Sequence, residues 1–132
     1  MKKSLLVISL MLTSVAVGQE MMTAEQLILN SQKEASQIPV AMYVSGWRDG
    51  VSRQLLSSAE TLGESGNDIA EHAIYQEALG RCLERLQVAD LVGALRPQVL
   101  NDEISARQTS ATAALLDVAT ELCQDSIEEA LG

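Results

Sequence analysis

His72 is the single histidine of this 132-residue chain, and Asp68 stands four residues before it. Side chains four apart share a helix face, so the pair could offer a metal one nitrogen and one oxygen. A zinc-type site needs three or four protein ligands, and two do not make one. His72 therefore reads as a solvated surface residue. Having only this one histidine also limits nucleophilic catalysis. Serines are plentiful, but there is no GxSxG elbow and no strand-to-helix context for a triad. Carboxylates pair at Asp102 with Glu103 and at Glu128 with Glu129. Adjacent helical residues point in different directions, so neither pair is an acid/base dyad by spacing. GESGND, residues 63–68, carries two glycines but neither a preceding strand nor a following GK[ST], and so lacks the parts of a phosphate cradle. The expectation is a protein that is not an enzyme, with no metal and no cofactor.

The first residues bear on the compartment. Lys2 and Lys3 precede an apolar run from Ser4 to Val17, and Ala16 and Gly18 supply small residues where a signal peptidase reads. That is the pattern of a cleaved secretory signal, and the run falls short of the roughly 20 residues of a membrane-spanning helix. Residues 1–18 are expected to be the signal and residues 19–132 one helical domain, exported to the periplasm. The expected mature chain carries 7 Lys or Arg against 18 Asp or Glu, a net of −11. Such a charge argues against nucleic acid or an anionic membrane as partner and permits a basic protein. Cys82 and Cys123 are the only cysteines, and in an oxidising compartment a single disulfide is the expectation.

Hydrophobic periodicity says which elements must position these residues. Thr23 with Gln26 forms a capping-box pattern opening a helix through about Ala35, with Leu27, Ile28, Ser31 and Ala35 on one side. Pro39 fits a first helical turn, and Val40, Tyr43, Val44, Trp47, Val51 and Leu55 then recur at three- and four-residue steps to about Thr61. Residues 69–79 are ambiguous, compatible with a short helix. Leu86, Leu91, Leu95 and Leu100 mark another helix, which Pro97 should kink or end. A last helix from Ala106 to about Ala130 would bury Ala113, Leu116, Leu122 and Ile127. The fold class is all-α, a small bundle of about four main helices.

AMYVSGWRDGV, residues 41–51, is the most unusual stretch. Two of the three aromatics stand four apart, interleaved with Gly46 and Gly50, and each helical glycine costs about 1 kcal/mol relative to alanine. One reading makes Tyr43 and Trp47 core anchors and has the glycines admit another helix at close range, recovering that cost through packing. The other makes the segment a dimer face.

Four stretches together resemble the Rap/Tai-type immunity proteins, periplasmic all-α proteins that neutralise peptidoglycan amidase toxins delivered by type VI secretion. These are MTAEQLILNS, the run AMYVSGWRDGV with its Tyr-hydrophobic-x-Gly-x-x-Asp pattern (Tyr43, Gly46, Asp49), CLERLQVADLVGALRPQVL, and SATAALLDVATELC. The chain departs from the family pattern by lacking cysteines near Ser31 and Ala41, which fits loss of one disulfide as a unit. It also has Glu84 and Leu122 where the family favours proline.

The resemblance implies a homodimer that binds a secreted amidase and covers its substrate groove. The net charge of −11 could steer it toward a basic cleft. Glu64, Asp68, Asp102 and Glu103 are the candidate partner contacts, although each also reads as a solvated loop acid. A second class stays open: a periplasmic acid-stress chaperone that turns cationic and partly unfolds as its acids protonate.

Overall fold

The computed structural model describes residues 22–64, 70–101 and 107–132. It is all-α, with six helices among the described residues: α1 (Ala24–Ser31), α2 (Gln37–Glu64), α3 (Ala70–Arg85), α4 (Val88–Leu100), α5 (Ala111–Leu122) and α6 (Gln124–Leu131). The capping box at α1 is present: Thr23 N–H donates to Gln26 Oε1 at 3.0 Å and Gln26 N–H to Thr23 Oγ1 at 3.2 Å. α1 ends at Ser31, short of Ala35, and a 3-10 turn over Glu34–Ser36 leads into α2. α2 starts two residues before Pro39, whose missing N–H falls in the first turn where no intrahelical partner is lost. At 28 residues it is about 42 Å long.

Two helices run on through residues unfavourable to a helix. α3 resolves the ambiguous segment as 16 helical residues and runs through Gly80. α4 continues past Pro97 to Leu100 instead of ending before it. Proline has no N–H to give the Gly93 carbonyl, but both residues lie on the solvent face, where water can take that bond. The opposite face of α4 buries Leu91, Val92, Leu95 and Val99, and this packing holds the helix.

The last helix is two. α5 starts at Ala111, with the Ser110 hydroxyl accepting from Ala113 N–H, and stops at Cys123, beyond which α6 begins. Its register also differs from expectation. Ala111, Ala114, Leu115, Val118 and Ala119 are buried, whereas Leu116 and Leu122 are 40% and 44% exposed. With Ala and Leu at so many positions, two neighbouring stripes are almost equally apolar, and only contact with α1 and α4 selects one.

The main core gathers Leu27 and Ile28 of α1, Val40 and Val44 of α2, Leu83 of α3, Leu91 and Leu95 of α4, and Leu115 and Val118 of α5. Each buried aliphatic side chain contributes about 1.5–3 kcal/mol. A smaller cluster joins α3 to α6 through Leu79, Cys82, Cys123 and Ile127. Cys82 and Cys123 form the expected disulfide, with Cα atoms 5.9 Å apart. α2 and α3 form the most extensive helix pair, and α6 rests on α3.

Gly46 and Gly50 do not admit another of the described helices: among the described residues, a Cβ at either would meet nothing within 4 Å. The close approach is at Gly80, where a Cβ would stand 3.0 Å from Leu56 Cγ and 3.3 Å from Leu55 Cβ. Gly80→Leu should therefore destabilise the fold by about 1–3 kcal/mol through overpacking. Gly46→Ala should stabilise it by up to about 1 kcal/mol through helix propensity alone. Paired urea titrations check both, and a Gly46→Ala protein less stable than its parent would mean that the glycine meets something the fold does not supply.

Candidate functional site

Among the described residues, the chemistry-bearing ones do not converge. His72 is exposed in the first turn of α3 and borders a shallow pocket of about 420 Å³ with Glu71, Tyr75 and Leu131. Among the described residues no three His, Cys, Asp or Glu are grouped to hold a metal. Glu64 is exposed at the end of α2, while Asp68, Asp102 and Glu103 lie outside the described residues. Glu128 and Glu129 are exposed on α6, and Gln124 Nε2 donates to Glu128 Oε1 at 3.0 Å.

The AMYVSGWRDGV segment is a two-sided helix. Inward, Tyr43 and Trp47 are half-buried against the main core, as their spacing leads one to expect. Arg48 fastens the same side to the α3–α4 turn, its Nη1 donating to the Leu86 carbonyl at 3.0 Å, while its Nε reaches Asp49 Oδ1 at 3.1 Å. Ser52, only 2% exposed, donates its hydroxyl to the Asp49 carbonyl at 3.1 Å and so buries no unsatisfied group.

Outward, the four-residue steps 38, 42, 46 and 50 align two large apolar side chains with two glycines. Ile38 is 73% exposed and Met42 is 69% exposed, the highest values among the large apolar residues described. Sequence reasoning named the glycines and missed Ile38 and Met42, although their spacing from Gly46 was the available signal.

A second surface is set by charge. From residue 108 to 132 there is no Lys or Arg, while Asp117, Glu121, Asp125, Glu128 and Glu129 are all exposed on α5 and α6.

No family model, curated protein or solved structure matches the chain. No helix among the described residues is long and apolar enough to cross a membrane.

Burial pushes the Tyr43 phenol above its ordinary value of 10.0. A raised acid pKa means that the unfolded state ionises first. This contribution is intact below about pH 10 and is lost as pH rises through the folded value. Tyr43→Phe should therefore flatten the alkaline fall in stability, as measured by urea midpoints at successive pH values. An unchanged alkaline limb would show that Tyr43 ionises as freely folded as unfolded.

Proposed function

We propose that the chain is a periplasmic immunity protein that binds a secreted peptidoglycan amidase and occludes its active-site groove without turning anything over, acting as a homodimer. One observation carries the reading most: the segment with the family-like pattern has an outward side without a partner among the described residues. Gly46 and Gly50 each cost helix stability, and among the described residues neither is repaid by packing. Ile38 and Met42 beside them hold apolar surface in water. A helix face of this kind has its use between molecules, and a second protomer or the toxin would cover it.

Electrostatics supports the partner class. A hydrolase that acts on carboxylate-bearing peptide stems calls for a basic cleft, and the expected mature chain presents a net of −11. Association should slow markedly with salt, because the Debye length falls from about 10 Å at 0.1 M to about 3 Å at 1 M, while dissociation changes less.

Co-expression with a secreted amidase encoded beside it, directed to the periplasm, should rescue growth, and only when residues 1–18 are present. Failure against every neighbouring amidase, together with suppression of client aggregation at acid pH, would replace this reading with the acid-stress chaperone.

A further inference from the structure

The seam between α2 and α3 is underfilled on its outer side. The two helices touch closely where Leu56 covers Gly80. From there toward the α2–α3 connection a groove of about 560 Å³ opens, floored by Ala59 and Ala73 and walled by Leu56 and Ile74. The floor is low because both positions are alanine, and Ile74 is left 39% exposed on the wall.

The rim is charged. Glu60 stands on the α2 side, and Glu77 and Arg81 stand on the α3 side. Arg81 Nε lies 3.0 Å from Glu77 Oε1, so these two neutralise each other, and among the described residues of the rim Glu60 remains as the uncompensated charge.

We propose that this groove docks an amphipathic helix of a partner protein, which lays branched aliphatic side chains on Ala59, Ala73 and Ile74 and sets a Lys or Arg against Glu60. Charge complementarity decides the occupant: an acidic or neutral apolar helix would leave Glu60 desolvated without a counter-ion, whereas a cationic one pairs it. The geometry suits a helix because two antiparallel helices already form the walls, the arrangement into which a third ridge packs. From Leu56 to Gly63 the groove is about 10 Å long, some two turns. The inference concerns the partner's chemistry and does not require that partner to be an amidase.

The probes are stapled amphipathic helices of three to four turns: one with Leu on one face flanked by Arg, one with Glu replacing Arg, and one with Ser replacing Leu. Each is titrated into the full mature protein and followed by backbone amide shifts. The Leu/Arg helix should bind and shift amides along residues 56–63 and 70–81, and the other two should not. Ile74→Glu and Glu60→Lys, both at surface positions, should each weaken binding about tenfold. Arg81→Gln frees Glu77 and should tighten binding a few-fold, with little effect on stability because the pair is exposed, while Arg96→Gln on α4 should change nothing. Absence of binding, shifts centred on another surface, or equal tightening by Arg81→Gln and Arg96→Gln would each overturn the proposal. The last would reduce it to general attraction toward an acidic protein.

Discussion

Cys82→Ala/Cys123→Ala protein should unfold with a free energy about 4 kcal/mol below that of the parent, the cost of reopening a loop of about 40 residues in the chain-entropy description. That is a large part of the 5–15 kcal/mol typical of a domain. The loss should be concentrated at one end of the molecule. α6 buries Ile127 alone, and the bond fixes its start, Cys123, to α3. Hydrogen exchange in α6 should accordingly quicken more than in α1 or α4. Reductant should reproduce the effect in the parent and leave the double variant unmoved. A midpoint in urea that shifts by less than the equivalent of about 1 kcal/mol would show that the second cluster holds α6 without the cross-link.

Leu115→Ala and Leu116→Ala should differ sharply although the residues are neighbours of the same type. Leu115 is fully buried among α1, α4 and α5, so truncation removes transfer energy and leaves a cavity, for about 2–5 kcal/mol. Leu116 is 40% exposed, and its truncation should stay within about 1 kcal/mol, part of it offset by alanine's helix propensity. Equal losses, or the larger loss at Leu116, would place α5 in the other register. The pair thus reads directly which stripe of an almost uniformly apolar helix faces the core.

The sequence by itself determined the elements whose signals are local. Thr23 and Gln26 announced the start of α1, and the three- and four-residue steps of Val40, Tyr43, Val44 and Trp47 announced α2 and its inward side. Two cysteines in a chain expected to be exported announced the disulfide. Each of these depends on chemistry within a turn or two, or on a pairing with only one solution.

What the tertiary structure decided depended on a distant partner. α4 runs through Pro97 because its other face is buried, and α3 runs through Gly80 because Leu55 and Leu56 lie against it. The buried stripe of α5 was chosen by α1 and α4, since Leu115 and Leu116 are indistinguishable by composition. The glycines invert most plainly: Gly46 and Gly50, beside two aromatics, looked like the close approach, and Gly80 is the one. A sequence shows that a residue is small, and only the position of the next helix shows whether its smallness is used inside the fold or left at the surface.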